Sequence, residues 1–476
     1  SSNQDIARYQ GWYSQFVEVH RDDPNLVIAA GVDLWKSTDG GYNFTKKSDW
    51  SKWYFGVVPV GGTEGPPDYV HADIHDIAVH PDDPNTFYLA TDGGIFRSTD
   101  FGETFEGLNG GYATTQFYNG FSCAQNDSQF AIGGLQDNGT VIYEGTHAWR
   151  RAAGGDGCWT AIDPNNPDTV YASYQYLSII KSVNRGINWR NATDGMIWSQ
   201  YTPFVAPYVL SSTHSNILYA GADRIYKSTD AAANWISTTG VYALNGDAVI
   251  SMAISATNPD TVYVATAPNF AKAMILRTVD GGGTWEMMAQ AEEAGIPNRY
   301  PMDLAVNPND SREVYAAFSG FGTSHLYKSS NAGISWLDIG AGLPDVPTSA
   351  VALDPLFPDH IYVGNDLGVY VSTDRGLNWE EWSNGMPTAI VMDLTISPAN
   401  RALRAATHGN GIWERKLVGA TGTIVAEAPP AKSTTFRLHQ NYPNPFSKSG
   451  RQGTAITKIQ FDLSRTDDVV LKVYNV

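Results

Sequence analysis

Residues 74–105 have the sequence IHDIAVHPDDPNTFYLATDGGIFRSTDFGETF, and this stretch contains one complete structural repeat. Two apolar segments, IHDIAV and TFYLAT, flank the Pro/Asp/Asn turn HPDDPN. A glycine turn, a third segment GIFRS and a Ser-Asp-Gly turn follow, and a fourth segment begins at an aromatic residue. Short strands separated by turns of this kind predict a four-stranded antiparallel meander.

The same order of segments recurs along the chain. The first turn and second strand are recognisable in VHRDDPNLVIAAG from residue 19, IDPNNPDTVYAS from 162, ISATNPDTVYVAT from 254, VNPNDSREVYAAF from 306 and LDPLFPDHIYVGN from 353. Fainter copies begin near Phe117, Pro207 and Ile390. Nine segments at intervals of roughly 40 to 60 residues, each with four strands, predict an all-β fold, a β-propeller of seven to nine blades.

A Ser-Asp-Gly turn follows the third strand in seven segments, beginning with STDGGYNF at 37–44. Its Ser and Asp side chains can hydrogen-bond the turn backbone, and its aromatic residue can pack between sheets. The motif resembles the Asp-box, or BNR, repeat (S-x-D-x-G-x-T-W) of propellers in the sialidase and xyloglucanase-like families. The resemblance extends from residue 16 to about 417 and implies a structural turn on the face away from the ligand. The implied structural residues are Asp39, Asp100, Asn184, Asp230, Asp280, Asn331 and Asp374.

The last segment, AATHGNGIWERKL, stops after its third strand. The N-terminus is the expected source of the fourth strand, which would close the ring. On the face opposite the Ser-Asp-Gly turns, the entry loops and the turns between second and third strands carry the polar side chains. The candidate ligand-binding residues there are His71, Asp73, His75, Asp247, Arg299, Tyr300, Asp366 and His408, and the candidate catalytic residues are Asp92, Asp137 and Asp156.

His71, Asp73 and His75 alternate, so in a strand all three point to one side. Two imidazoles and a carboxylate could hold a divalent cation, although neighbouring His and Asp side chains also commonly hydrogen-bond each other. We predict no other cofactor. Cys123 and Cys158 are the only cysteines, so a thiolate zinc site is excluded and at most one disulfide could form.

The chain has 476 residues and a net charge of −18, from 31 Lys and Arg against 49 Asp and Glu. Such a surface repels phosphate backbones, which argues against nucleic acid as a partner. No apolar run reaches the length of about 18 residues that would predict a membrane span.

The repeats end after Val418, which predicts a propeller domain at 1–418. Residues 419–435 are small, polar and Pro-containing, which indicates a linker. Residues 436–476 contain LHQNYPNPF, an I-x-F-x-L strand and an L-x-V-Y-N strand. This combination resembles the C-terminal sorting domain of the bacterial type IX secretion system, with an inserted KSGRQG as a departure, and implies an incomplete copy of that domain. The resemblance implies a protein that is secreted or on the outer cell surface of a bacterium, with the type IX machinery as a partner.

Two functions remain open from the sequence. The first is a binding propeller that holds an extracellular glycan, surface polymer or partner protein. The alternative is a glycoside hydrolase, because ATDGGIF resembles a T-D-x-G-G turn that carries an acidic residue in xyloglucanase-like endoglucanases. Asp92 would then be the base and Asp137 or Asp156 the acid, and an inverting pair needs a separation of roughly 6.5–9.5 Å. That family forms its cleft between two propellers, whereas the repeats here predict one.

Sialidase activity is not expected. The sialidase family uses three arginines and an F/Y-R-I/L-P signature, and only NRYP at 298–301 is faintly similar. The predicted ligand face is also rich in acidic residues.

Overall fold

The structure is a computed structural model that describes residues 5–199, 201–239, 244 and 246–419, together with two short strands, Arg437–Leu438 and Phe461–Asp462. The chain divides into two compact units, Ser1–Val418 and Gly419–Val476. In the second unit the two short strands pair antiparallel. The predicted linker and the rest of the predicted sorting domain lie outside the described residues.

Every strand in the described part of the first unit belongs to one of nine antiparallel sheets. Sheet one contains β1 (Phe16–Val19), β2 (Val27–Ala30), β3 (Leu34–Ser37) and β4 (Thr45–Lys46). Strand β5 (Gly56–Val57) follows, and sheet two contains β6 (Ile74–Val79), β7 (Phe87–Thr91), β8 (Gly94–Ser98) and β9 (Glu106–Gly107). The predicted four-stranded meander at 74–105 is confirmed as sheet two.

Seven further sheets follow in chain order. Sheet three contains β10 (Ser122–Cys123), β11 (Phe130–Leu135), β12 (Gly139–Glu144) and β13 (Arg150–Ala153), with β5 as its fifth strand, and sheet four contains β14 (Thr160–Ile162), β15 (Val170–Tyr174), β16 (Ser178–Ser182) and β17 (Arg190–Asn191). Sheet five contains β18 (Tyr208–Leu210), β19 (Leu218–Gly221), β20 (Ile225–Ser228) and β21 (Ile236–Ser237), and sheet six contains β22 (Val249–Ile254), β23 (Val262–Thr266), β24 (Met274–Thr278) and β25 (Glu286–Gln290). Sheet seven contains β26 (Pro301–Asn307), β27 (Asp310–Phe318), β28 (Leu326–Ser329) and β29 (Leu337–Asp338). Sheet eight contains β30 (Thr348–Leu353), β31 (Ile361–Asn365), β32 (Gly368–Ser372) and β33 (Glu380–Glu381), and sheet nine contains β34 (Ile390–Ser397), β35 (Ala402–His408) and β36 (Ile412–Lys416).

The helical segments among the described residues are short. They are three 3₁₀ turns, at Arg8–Gln10, Trp50–Lys52 and Gln175–Leu177. The fold is therefore all-β, as the turn-rich sequence predicts. No helix in the described part of the chain has the length and apolar character needed to cross a membrane.

Sheets three to nine form a closed ring through their first strands. Strands β10, β14, β18, β22, β26, β30 and β34 pack successively, and β34 packs back against β10. At this closure the Gly120 and Phe121 amides donate to Asp393 Oδ2 at 2.9 and 2.6 Å. The Thr395 hydroxyl donates to the Phe121 carbonyl at 2.6 Å. The β-propeller fold is thus built by these seven sheets.

Sheets one and two lie outside that ring and pack on each other through β1 and β6. The Ile74 amide joins them by donating to the Gly31 carbonyl at 2.9 Å. Strand β1 pairs with β2 in sheet one, so the prediction that the N-terminus supplies the fourth strand of the last segment is wrong among the described residues. The sequence repeats could not show that sheets one and two are separate from the ring. A segment has the same strand and turn pattern in either group of sheets.

The core of the ring lies between neighbouring sheets. The second strands of five sheets carry a Tyr after an apolar residue, and these tyrosines are fully buried: Tyr171, Tyr219, Tyr263, Tyr315 and Tyr362. Each aromatic side chain of this kind removes on the order of 150–250 Å² from water. A tyrosine after Val, Leu or Ile in the second strand thus marks the main packing position between sheets.

The seven Ser-Asp-Gly turns share one hydrogen-bond pattern. In the first, the Ser37 hydroxyl donates to Asp39 Oδ1 at 2.7 Å and accepts from the Gly41 amide at 2.9 Å, while the Asn43 amide donates to Asp39 Oδ1 at 2.9 Å. The equivalent bonds recur at Asp100, Asn184, Asp230, Asp280, Asn331 and Asp374. Each turn thus satisfies its own polar groups.

The aromatic residue that ends each turn can also join two sheets. Trp235 Nε1 donates to the Ala192 carbonyl of the preceding sheet at 2.8 Å. Trp379 Nε1 donates in the same way to the Ile339 carbonyl at 2.8 Å. The turn therefore packs sheet against sheet, which is a structural role.

Candidate functional site

Turns from sheets two and three meet at the seam between the two-sheet unit and the ring. The loop before β6 reaches the β11–β12 turn, where His71 Nε2 lies 3.1 Å from the Asp137 carbonyl oxygen. The Asn138 side-chain amide donates to the Asp92 carbonyl in the β7–β8 turn at 3.0 Å. These contacts bring together the six predicted residues His71, Asp73, His75, Asp92, Asp137 and Asp156.

The Asp92 carboxylate is held by two side chains from other parts of the chain. Its Oδ1 lies 2.6 Å from His75 Nε2. The Tyr13 hydroxyl donates to Oδ1 and Oδ2, both at 3.2 Å. The Tyr13 ring packs edge-on against the His75 ring, with centroids 4.7 Å apart and an interplanar angle of 86°. Asp92 is thus fixed in orientation by donors that its own turn does not contain.

Asp156 has donors on both carboxylate oxygens. The Asp137 amide donates to Oδ1 at 2.8 Å, and Gln175 Nε2 donates to Oδ2 at 2.5 Å. These two bonds hold both carboxylate oxygens of Asp156 in place. Its role is to hold the Asp137 turn in place and to add negative charge beside it.

The other two carboxyl groups hold protons more tightly. Burial, followed by the charges of Asp156 and Asp92, raises the pKa of Asp137 to about 7. Burial, followed by the charge of Asp92, raises the pKa of Asp73 to about 6. Asp73 Oδ1 is buried without a hydrogen-bond partner. Carboxyl groups with separated pKa values in one cleft can divide acid and base roles.

Close backbone approach makes this cluster possible. A Cβ atom on Gly93 would lie 2.2 Å from the His71 ring, so only glycine fits beside the imidazole. Asp73 and Asp137 adopt left-handed backbone conformations, with φ of 62° and 57°. Non-glycine residues with positive φ are strained and often occur at functional sites.

Aromatic side chains flank the carboxylates on both sides of the seam. Tyr13 contacts Asp92 and packs beside Trp12, and both rings are exposed. On the ring side, Tyr176 follows Gln175 and packs edge-on against Phe204, with centroids 5.4 Å apart. Exposed aromatic faces next to acidic groups suit a sugar ligand.

The structure places the other predicted ligand residues on separate loops. Asp247 is buried and accepts from the Phe270 and Ala271 amides at 3.0 and 2.8 Å, so it holds the β23–β24 loop. Tyr300 donates to Asn269 Oδ1 at 2.6 Å, and the neighbouring Arg299 is exposed. A ligand role for these residues stays a prediction.

Two further predicted residues lie on sheets eight and nine. Asp366 occupies the β31–β32 turn, where burial raises its pKa. His408 packs against Tyr118, and the two ring centroids lie 5.9 Å apart. Burial, then the charges of Asp156 and Asp137, raises the pKa of Tyr118. His408 therefore borders the cluster through Tyr118.

A divalent cation at His71, Asp73 and His75 is not favoured by this geometry. His71 is buried, and its two ring nitrogens lie 3.1 Å from the carbonyl oxygens of Ala72 and Asp137. No group of three or more His, Cys, Asp and Glu side chains among the described residues is arranged to hold a metal ion. Cys123 and Cys158 are both free thiols, so the possible disulfide does not form.

Sequence reasoning missed Tyr13 and Gln175. Both lie outside the repeated motifs, Tyr13 in the segment before β1 and Gln175 in a 3₁₀ turn after β15. Tyr13 is 79 residues from Asp92 in the chain, and no local pattern connects the two. Their hydrogen bonds to Asp92 and Asp156 are visible only in the folded structure.

Comparison with known proteins gives relatives of one kind. No family model matches the chain. It is 23% identical over 415 residues to Xyloglucanase Xgh74A of Acetivibrio thermocellus, covering 71% of this chain and 46% of that protein. It is 26% identical over 243 residues to a xyloglucanase of a Paenibacillus species, covering 47% of this chain and 22% of that protein. The chain thus spans less than half the length of these curated relatives.

Solved structures show similar proteins at lower identity. The GH74 xyloglucanase from Xanthomonas campestris is 15% identical, with a TM-score of 0.34, and the match covers 86% of this chain and 73% of that one. YCF48 bound to D1 peptide is 12% identical, with a TM-score of 0.46, and the match covers 64% and 94% of the two chains.

Proposed function

We propose that this protein is a glycoside hydrolase that cleaves the backbone of a β-glucan of the xyloglucan type. The observation that carries the proposal is the pairing, at one seam, of a hydrogen-bonded carboxylate, Asp92, with Asp137, whose pKa is raised to about 7. The curated relatives are named xyloglucanases, which supports the substrate class. The two-sheet unit contributes Asp92 and the ring contributes Asp137.

The residues divide the chemistry as follows. Asp137 acts as the general acid, since burial and the neighbouring carboxylates favour its protonated form. It transfers its proton to the glycosidic oxygen while the bond to the anomeric carbon breaks. Asp92, oriented by His75 and Tyr13, accepts a proton from the attacking water. Asp156 holds the Asp137 turn.

The protonation states after one turnover are reversed, since Asp137 has lost its proton and Asp92 has gained one. Exchange with solvent restores both. This scheme predicts inversion at the anomeric carbon, with a carboxyl separation of roughly 6.5–9.5 Å that admits the water.

The test uses the full chain and a panel of xyloglucan, mixed-linkage β-glucan, xylan and mannan. New reducing ends should form from xyloglucan, and Asp137→Asn should lower the rate about 10³-fold, as for loss of a general acid. Asp280→Asn is the matched control, because the chain already uses Asn184 and Asn331 at that turn position. It should leave the rate within about twofold.

Proton NMR of the first product then identifies its anomeric configuration. An α-anomer released from a β-glucan supports the inverting scheme, and a β-anomer contradicts it. Absence of new reducing ends across the whole panel would remove the hydrolase proposal and leave the binding propeller as the better hypothesis.

We further propose that the protein acts outside the cell. The resemblance of residues 436–476 to a type IX sorting domain supports this location, as does a polymeric substrate that cannot enter a cell. Fractionation of a bacterium that encodes the chain should find it in the medium or on the outer surface, and recovery from the cytoplasm would contradict the proposal.

A further inference from the structure

A segment outside the sheets presents an exposed tryptophan beside Tyr13, whose hydroxyl contacts Asp92. In residues 5–14, Trp12 is 83% exposed, and its neighbour Tyr13 is 42% exposed. Their ring centroids lie 5.4 Å apart at an interplanar angle of 45°. The pair thus presents an exposed aromatic face one ring away from the Asp92 carboxylate.

The backbone that carries this pair is anchored. The Tyr13 and Ser14 amides donate to the Gln10 carbonyl at 2.8 and 3.0 Å, and Ser14 is fully buried. Beneath the segment, Gly31 packs so closely that a Cβ there would lie 2.8 Å from Ala7 Cα. Trp12 is therefore an exposed ring on an ordered support, which is the arrangement a binding surface needs.

Tyr13 connects the pair to the reacting groups. Its hydroxyl donates to both oxygens of Asp92, and its ring packs edge-on against His75. A ligand resting on Trp12 would thus lie next to the carboxylate proposed as the base. The same contacts would be retained if the site bound a glycan without cleaving it.

We propose that Trp12 and Tyr13 form an aromatic subsite for a neutral hexopyranose unit of a β-glucan, directly beside Asp92. Trp12 supplies the stacking face, and Tyr13 is a positioning residue that orients Asp92. This inference deepens the proposed function and, in placing Tyr13 beside a catalytic base, rests on it.

The electrostatics of the site select an uncharged sugar. Burial raises the pKa of Tyr13 to about 12, and Asp92, Asp137 and Asp73 contribute to the same shift. The hydroxyl therefore stays a donor at neutral pH. The acidic groups that are ionised near the ring repel a uronate but not a glucose or xylose unit.

Binding is the first test, and it does not depend on turnover. The full chain and its variants are compared by affinity electrophoresis in gels that contain xyloglucan or polygalacturonate. Xyloglucan should retard the wild type and polygalacturonate should not. Trp12→Ala should weaken xyloglucan binding about tenfold, the scale of losing one aromatic stacking contact. Tyr42→Ala is the matched control, because Tyr42 is 82% exposed on a Ser-Asp-Gly turn of sheet one.

Tyr13→Phe tests the positioning role. It keeps the ring and removes the hydroxyl that orients Asp92, so we expect unchanged binding and KM but a kcat reduced about tenfold.

The outcomes separate this inference from the proposed function. Hydrolysis by the wild type with full binding by Trp12→Ala would overturn the subsite and leave the hydrolase proposal standing. Binding that requires Trp12 in a protein that cleaves none of the panel would support the subsite and remove the hydrolase. Failure of the wild type to bind xyloglucan, or equal loss of binding in Tyr42→Ala, would overturn the subsite.

Discussion

The sequence Thr-Asp-Gly-Gly occurs at 38–41 and again at 91–94, and the two copies have different partners. At 38–41, Asp39 accepts hydrogen bonds from Ser37 and Asn43, within its own turn. At 91–94, Asp92 accepts from His75 and from Tyr13, which is 79 residues away. Identical local sequence therefore supports a structural turn in one place and a candidate catalytic group in the other.

The difference lies in the source of the donors and in the neighbours. Hydrogen bonds from Asn43, followed by that from Ser37, lower the pKa of the exposed Asp39 to about 2. That carboxylate stays ionised and faces solvent. Near Asp92, by contrast, two carboxyl groups have raised pKa values. The pKa of Asp137 is about 7 and that of Asp73 is about 6. The raised pKa values thus come from the seam, where turns of two sheets and an N-terminal segment converge.

The largest expected effect compares the two aspartates of this shared sequence. Asp92→Asn should lower the rate on xyloglucan about 10³-fold, since the variant cannot accept the proton of water. Asp39→Asn should change the rate less than twofold. Both are measured by release of reducing ends with thermal unfolding as a control for folding. Equal loss of activity in both variants would show that the distinction between turn and seam is wrong.

The next effect concerns the third residue of the same sequence. Gly93→Ala places a Cβ about 2.2 Å from the buried His71 ring, so the loop must shift. We expect a loss of roughly 2–3 kcal/mol in unfolding free energy, as for overpacking, together with loss of activity. Gly40→Ala meets its nearest atoms at 4.0 Å but has φ of 71°, so it should cost only about 1 kcal/mol.

Thermal or chemical unfolding of these two variants measures the difference. If Gly93→Ala were as stable and active as the wild type, the close approach of the β7–β8 turn to His71 would not be required for the site.

The sequence predicted the repeated parts of the molecule well. Alternating strands and Pro/Asp/Asn turns predicted the antiparallel sheets, because those signals act within a few residues. The grouping of His71, Asp73 and His75 with Asp92, Asp137 and Asp156 followed from placing loops on one face. Closure of the ring between β34 and β10 did not follow, since it depends on which strands pack side by side.

The remaining parts of the site depend on contacts between distant segments. Tyr13 reaches Asp92 and Gln175 reaches Asp156 from positions without a motif. The orientation of His71 toward two backbone carbonyls, which disfavours a metal, is likewise set by burial in the fold. Residue type and spacing suggested ligands, whereas the seam determined which atoms face each other.

A smaller expected effect is a difference in the pH dependence of stability between the seam and the Ser-Asp-Gly turns. The folded-state pKa of Asp137 is raised from 3.8 to about 7, so the folded state binds more protons between these values. Its contribution favours folding at low pH and is lost as pH rises through about 7. Thermal unfolding of Asp137→Asn should therefore depend less on pH between 5 and 7.5 (an interval set from that pKa), and the variant should be the more stable protein at the upper end.

In the Ser-Asp-Gly turns, the aspartates have the opposite effect on the pH dependence of stability. The pKa values of Asp39, Asp230 and Asp280 are lowered to about 2, so their contribution is present above the ordinary carboxyl pKa and is lost as pH falls through about 2. Unfolding followed from pH 7 down to 2 should show this loss, and Asp137→Asn should retain it. A variant that removed both dependences would contradict the separation of the two regions.

The smallest effect tests whether the turns use the carboxylate charge at all. Asn331 makes the same bonds as the aspartates, and its side-chain amide donates to Ser335 Oγ at 2.9 Å. In Asn331→Asp the serine hydroxyl can donate instead, as Thr104 does to Asp100 at 2.6 Å. We expect a change within about 0.5 kcal/mol at pH 7, the usual range for surface substitutions, and a new loss of stability as pH falls from about 4, the ordinary carboxyl pKa, towards the lowered value of these turns. A loss above about 1 kcal/mol at pH 7 would mean that Asn and Asp are not interchangeable in this turn, and that Asp280→Asn and Asp39→Asn are not neutral controls for the seam.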